Sequence, residues 1–209
     1  LVMTADAVAR VAGLFDQVST TYDQVGVDFF EPVASALVEA LGLRRGESLL
    51  DLGCGRGRVL LAAAGQLGPG ATLRGLDVSA GMVSQARAVL DTAGLEMVQV
   101  SVADASVLDP AVGMFDVVTA SLVLFFLPDP AAALRSWRQV VSPGGRIGVT
   151  TFGARDPRWE RLDAVFEPYL PDDLKDARTT GARGPFASDA GVEELLLGAG
   201  FVEPRTTHS

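Results

Sequence analysis

Between Leu49 and Leu61 the chain reads Leu-Leu-Asp-Leu-Gly-Cys-Gly-Arg-Gly-Arg-Val-Leu-Leu, an apolar run that passes through three alternating glycines into a second apolar run. Few folds accommodate such a segment. The first run ends in the carboxylate of Asp51 and is short and apolar, as in a buried strand. Gly53, Gly55 and Gly57 allow a tight turn and let the backbone approach a ligand with no side chain in the way. Helical periodicity resumes at Val59. A strand, a bare turn and a helix in this order open an α/β sheet of the kind that binds ligands at the carboxyl ends of its strands. A nucleotide-cofactor site is the first hypothesis.

The units that follow repeat the alternation. Ala71–Asp77 reads as a second strand ending in an acid, and Ser79 precedes a helix that runs through Ala88. An acid at this place can accept both hydroxyls of a ribose; the plain alternative for Asp77 is a helix-capping carboxylate. Met97–Val102 is a third strand and leads into Ala103-Asp104-Ala105, where Asp104 alone could equally be an ordinary loop acid. Phe115–Leu127 is a buried strand running into an apolar loop. Asp129 then caps a helix, with Pro130 at its first position and Ala131–Val141 as its body. Pro143-Gly-Gly145 stops that helix, and Gly145–Phe152 is a fifth strand. The expected fold is α/β, a doubly wound, mostly parallel sheet with helices on both faces, N-terminal helices and a lid insertion. Asp51, Asp77 and Asp104 then end successive strands on one sheet edge.

Glycine spacing separates two cofactor classes. A dinucleotide fingerprint is G-x-G-x-x-G, whereas this chain carries G-x-G-x-G, with Arg58 six along from Gly53. With Asp51 in front, the segment resembles the D-x-G-x-G-x-G signature of class I, Rossmann-like S-adenosylmethionine-dependent methyltransferases. The F-D-x-V strand at Phe115 and the later P-G-G are similar to the second half of that fold. Leu14-Phe-Asp16 and Tyr22-Asp23 resemble the small-molecule branch that includes quinone-biosynthesis enzymes. The resemblance implies S-adenosyl-L-methionine as cofactor and S-adenosyl-L-homocysteine as product. It also implies a cofactor set of Tyr22, Asp51, Gly53, Cys54, Gly55, Gly57, Asp77, Val78, Met82, Asp104, Ala105 and Ser121. In that set Asp77 would take the ribose hydroxyls, Val78 and Met82 would pack near the adenine, and Asp104 would accept from its amino group. An NAD(P)-dependent oxidoreductase and a non-catalytic cofactor-binding module stay open as alternatives.

The chemistry implied is in-line transfer of the sulfonium methyl to an O, N, S or C acceptor. The electrophile arrives activated, so the protein's task is alignment, and a base is optional. The sole histidine, His208, suits acid–base work in principle but reads better as a surface residue. No Asn/Asp-Pro-Pro-Tyr/Phe sequence follows the fourth strand, where Ser121-Leu-Val-Leu124 stands, and no Pro-Cys pair marks a cytosine-methylating nucleophile. No His/Cys/carboxylate cluster has ligand spacing, so no metal is expected. A small molecule or short peptide is the expected acceptor.

One methyltransferase domain is expected over 1–209. Residues 1–45 would form an N-terminal helical cap with helices at Ala5–Val18 and Asp28–Leu41, and 46–152 the cofactor-binding core. Residues 153–187 would be a lid or substrate insertion, and 188–209 a last helix and a sixth strand at Phe201–Thr207. The family adds a seventh strand, so truncation after Ser209 is expected. Phe29, Phe125, Phe152, Trp159 and Tyr169 are candidates for an apolar acceptor pocket, with Phe126, Phe166 and Phe186 as further rings. The formal charge of −9, from 17 basic and 26 acidic residues, argues against a nucleic-acid or anionic-membrane partner. Cys54 is the only cysteine, which excludes an intrachain disulfide. With no long apolar run and no signal-peptide pattern, a cytoplasmic location is expected.

Overall fold

The computed structural model describes residues 5–22, 29–153 and 184–208, with Val165 and Pro168 as isolated positions. Residues up to Thr150 form one compact unit and residues 151–208 a second.

The first unit is built on five parallel strands: β1 (Leu49–Leu52), β2 (Leu73–Asp77), β3 (Gln99–Val102), β4 (Phe115–Ser121) and β5 (Val141–Thr150). Their order is β3-β2-β1-β4-β5, so the chain reverses its direction of winding between β1 and β4. Crevices open at this switch point. The helices are α1 (Ala5–Val18), α2 (Phe30–Leu41), α3 (Arg58–Leu67), α4 (Ala80–Thr92) and α5 (Pro130–Arg138). Leu49, Leu50 and Leu52 of the central strand are fully buried, which is why β1 is a continuous apolar run. Leu49 joins a core with Leu37 and Val38 of α2, Leu60 and Ala63 of α3, and Val83, Ala86 and Leu90 of α4. Trp137 of α5 is fully buried and donates its indole N–H to Ala105 O at 2.7 Å, tying this helix to the loop after β3.

Local chemistry sets the boundaries. Ser79 caps α4 by accepting from Met82 N, and Asp129 caps α5 by accepting from Ala132 N at 2.8 Å, with Pro130 following as expected. Helix α4 runs on to Thr92, beyond the expected end at Ala88. Helix α5 stops at Arg138, and Pro143-Gly-Gly145 lies inside β5 rather than ahead of it. These residues make a bulge in which pairing shifts between Phe115↔Val141 and Val117↔Arg146. Gly145 sits there because a Cβ would come within 2.7 Å of Asp116 O.

The second unit contains a short turn of helix at Gly184–Ala187 and α6 (Asp189–Gly198), capped by Ser188. The sixth strand expected at Phe201–Thr207 is absent; residues 201–208 carry no strand. Glu203 has φ 51, which interrupts extended backbone, and Pro204 has no N–H to give to a ladder. Thr206 bonds instead to Glu193 Oε1 through its N–H and its hydroxyl.

Candidate functional site

A cavity opens at the carboxyl ends of β1, β2 and β4, and its lining joins two kinds of surface. One is a polar floor from β1, β2 and the glycine turn. The other is an apolar wall from α1, the start of α2 and residues 122–128.

The floor follows from strand register. Asp51 of β1 pairs across the ladder with Thr119 of β4, and the Thr119 hydroxyl donates to Asp51 Oδ1 at 2.8 Å. Asp51 is 1% exposed, and burial pushes its carboxyl up to about 7, against the lowering effect of the Thr119 bond and with a further rise from Asp77. Beyond β1 the chain turns through Gly53, Gly55 and Gly57 at φ 64, 51 and 82. These are left-handed conformations that only glycine takes freely. The turn is pinned twice: Cys54 N donates to Leu76 O at 2.9 Å, and Gly55 N donates to Asp77 Oδ2 at 2.8 Å. Asp77 Oδ1 accepts from Ser79 N at 2.9 Å. Burial raises the Asp77 carboxyl, opposed by these backbone donors. One carboxylate therefore ends β2, braces the glycine turn, holds the start of α4 and lines the cavity.

Of the residues picked out in the sequence, Tyr22, Asp51, Gly53, Cys54, Gly55, Asp77, Val78, Met82, Asp104, Ala105 and Ser121 all line this one cavity. Gly57 does not. It starts α3, and its bare Cα faces Ala86 and Leu90 of α4 at 3.7 Å from a Cβ, a helix-packing role. Cys54 is buried, and burial raises its thiol well above the ordinary value. Asp104 is exposed at the rim and accepts from Ser106 N at 2.8 Å.

The wall differs from expectation. Phe125 is 5% exposed and packs with its centroid 4.6 Å from Phe126; it is Phe126 that lines the cavity. Likewise Phe29 stacks on Phe30 at 4.2 Å, and Phe30 is the lining residue. Of the expected rings, Phe126 is in the lining while Phe125 and Phe29 are not, and sequence alone does not say which neighbour turns inward. Phe15 joins the wall from α1, with ring contacts to Tyr22 at 5.4 Å and Phe126 at 5.5 Å. Burial, followed by the charge of Asp77, raises the Tyr22 hydroxyl. Arg56, Arg58, Leu122 and Val123 also line the cavity, and of these Val123 lay in no motif that marked it. Phe152 belongs to the second unit and is exposed, while Trp159, Phe166 and Tyr169 lie outside the described residues. His208 is paired with Asp189 in the second unit at 2.9 Å.

A doubly wound sheet with a glycine turn and strand-end acids around one crevice defines a Rossmann-like nucleotide-cofactor protein. Comparison with known proteins narrows this. A family profile described as a methyltransferase domain matches residues 50–149. Nocamycin O-methyltransferase of Saccharothrix syringae is 39% identical over 93% of this chain and 73% of its own. Aklanonic acid methyltransferase of a Streptomyces species is 36% identical over 79% of this chain and 75% of its own. In fold, the chain is similar to a methyltransferase solved in complex with the Trm112 activator of Haloferax volcanii, with TM-score 0.68, 24% identity and coverage of 91% of this chain and 75% of that one. This chain belongs to the S-adenosylmethionine-dependent small-molecule methyltransferases, a family whose curated relatives include ubiquinone and menaquinone enzymes. The oxidoreductase and non-catalytic alternatives fall away. Among the described residues no helix is long and apolar enough to cross a membrane.

Proposed function

We propose that the chain binds S-adenosyl-L-methionine in this cavity and methylates an oxygen of a largely apolar, ring-bearing secondary metabolite, releasing S-adenosyl-L-homocysteine. One observation carries the reading: the acids that end β1 and β2 and follow β3 share a cavity with a bare glycine turn. The donor set fits the cofactor. Around a Cβ built on Gly55 nothing lies within 4 Å, so the turn leaves open space for a ligand. Asp51 and Asp77, both buried and both raised, suit a cation that would favour their ionised forms.

Asp77 would hold the ribose hydroxyls, and Asp104 with Ala105 the adenine edge, between Val78 and Met82. Asp51, Gly53 and Ser121 would flank the methionine end, and Tyr22 would close over it. When bound, the cofactor supplies a methyl group that carries its own leaving group. The wall residues Phe15, Phe30 and Phe126 exclude water and present an apolar face to the acceptor. Alignment of this kind contributes roughly 7–11 kcal/mol towards the barrier. Oxygen is the favoured acceptor atom because the nocamycin enzyme is an O-methyltransferase by name. The single thiol, buried, suits a cytoplasmic setting.

Radiolabelled methyl transfer to phenols, enols, carboxylic acids and short peptides tests the proposal, with calorimetry against S-adenosyl-L-homocysteine and NAD alongside. Label on an oxygen of a ring-bearing acid or phenol is the expected result. Label on peptides alone would overturn the acceptor class, and binding of NAD without the sulfur nucleoside would overturn the cofactor assignment.

A further inference from the structure

Beyond β4 the chain does something costly. Leu122 adopts φ 58, and it and Glu203 are the described non-glycine residues at positive φ. A leucine does not take this conformation by preference, so surrounding contacts have to hold it. One residue supplies two of them. Thr150, the last residue of β5, accepts the Leu122 N–H both at its carbonyl and at its hydroxyl oxygen, each at 3.1 Å. The same hydroxyl lies 3.0 Å from Ser121 Oγ.

The bend has a consequence in the cavity. Ser121, Leu122 and Val123 all line it, and Val123 packs over Gly53 so closely that a Cβ on that glycine would strike Val123 Cγ2. Thr150 is not in the lining. It acts through its neighbours, holding the exit from β4 in the conformation that lays Val123 across the glycine turn. From this we infer that Thr150 is a positioning residue whose hydroxyl, rather than its methyl group, sets the cavity's shape at the end of β4. The inference rests on the cofactor reading proposed above and adds to it a residue outside every motif of the sequence.

The alternative is that Thr150 merely fills space in β5, and the two differ in which half of the side chain matters. Thr150→Val keeps the branched shape and loses the hydroxyl, while Thr150→Ser keeps the hydroxyl and loses the methyl. Calorimetry with S-adenosyl-L-homocysteine is expected to show about tenfold weaker binding for Thr150→Val, the scale of losing one or two hydrogen bonds. Thr150→Ser should stay within about twofold of the parent. Leu122→Gly supplies a second test, because glycine takes positive φ without needing to be held. In that background Thr150→Val should cost less than about threefold.

Binding by Thr150→Val within twofold of the parent would overturn the inference, as would a Thr150→Ser variant as weak as Thr150→Val. If Thr150→Val lost its cooperative melt, Thr150→Ser against Thr150→Ala carries the same comparison. Failure of the parent chain to bind the nucleoside at all would instead remove the cofactor reading, and the role of Thr150 with it.

Discussion

The two sides of the cavity are made in different ways. The floor is built on adjacent parallel strands: Asp51 is held by the Thr119 hydroxyl, and Asp77 by the N–H groups of Gly55 and Ser79. Its atoms are placed by ladder register and by backbone donors, so they have little freedom to move or to vary. The wall is built of rings, Phe15, Tyr22, Phe30 and Phe126, meeting at centroid distances of 4.8–5.5 Å, with Phe126 brought to the other three from a segment remote in sequence. Such contacts tolerate exchange of one apolar residue for another. Under the proposed function the rigid floor would serve the cofactor and the replaceable wall the acceptor. Tyr22 spans both, since its ring packs in the wall while its hydroxyl feels Asp77.

The largest expected effect contrasts two glycines of the same turn. An alanine at Gly53 would drive its methyl into Val123 at a φ of 64. Overpacking and a left-handed β-carbon together should cost about 2–4 kcal/mol of stability. An alanine at Gly55 meets nothing, so only the conformational cost of about 1–2 kcal/mol should appear, while its methyl projects into the open space proposed for the ligand. Urea unfolding and nucleoside calorimetry on both variants separate fold from binding. Equal losses of stability would mean that floor and wall do not meet at Gly53.

Next in size is Asp77→Ala, which should weaken S-adenosyl-L-homocysteine binding by about 1.5–3 kcal/mol, the scale for hydrogen bonds to a charged group. An unchanged dissociation constant would remove the ribose assignment. The pH dependence sharpens the same point. Asp51 titrates near 7 in the folded chain against an ordinary 3.8, so the folded state holds the proton more tightly than the unfolded one. Stability without ligand should therefore fall as the pH rises from about 4 to about 7 and level off above that, and Asp77 adds in the same direction. Asp51→Asn should flatten this slope. A cationic ligand should bind with release of a proton in the same window, and calorimetry in buffers of different ionisation enthalpy reads that directly.

How much of this was legible in the sequence follows the same division. Strand-end acids and glycines are visible in one dimension because their function lies in backbone position, which a short local motif encodes. Asp51, Asp77 and Gly55 could be placed without knowing any partner. Phe126 and Phe30 could not be told from Phe125 and Phe29, because which of two neighbouring rings turns inward depends on helix docking. Thr150 was invisible for a related reason: its importance comes from a bend at Leu122, and nothing in the residues around Leu122 announces positive φ. The sixth strand failed on Pro204 and Glu203, a local signal outweighed by apolar pattern.

The smallest expected effect concerns how the wall is attached to the floor. Asp16, near the end of α1, accepts through one oxygen from the Ser79 hydroxyl and from Gly81 N at 2.8 Å. Its carboxylate thus sits at the N-terminus of α4, where backbone N–H groups and the helix dipole favour a negative charge. The close approach needs Gly81, since a Cβ there would lie 2.8 Å from Ser19 Oγ. Ser79 also donates its N–H to Asp77, so the acid that anchors the wall and the acid of the floor are joined through a single residue. The hydrogen bonds from the Ser79 hydroxyl and from Gly81 N hold Asp16 below its ordinary value of 3.8, and a lowered carboxyl contributes stability above that value and loses it as the pH falls through the folded one. At neutral pH the link is intact. The contact is exposed to water, which keeps its energy small. Asp16→Ala should accordingly leave the affinity of the floor nearly unchanged while α1, with Phe15 and Tyr22, opens more readily. Stopped-flow release of S-adenosyl-L-homocysteine is expected to quicken by a few-fold, with association quickening alongside. A variant that loses affinity as severely as Asp77→Ala would show that the wall is part of the floor's structure, and the contrast between the two would fail there.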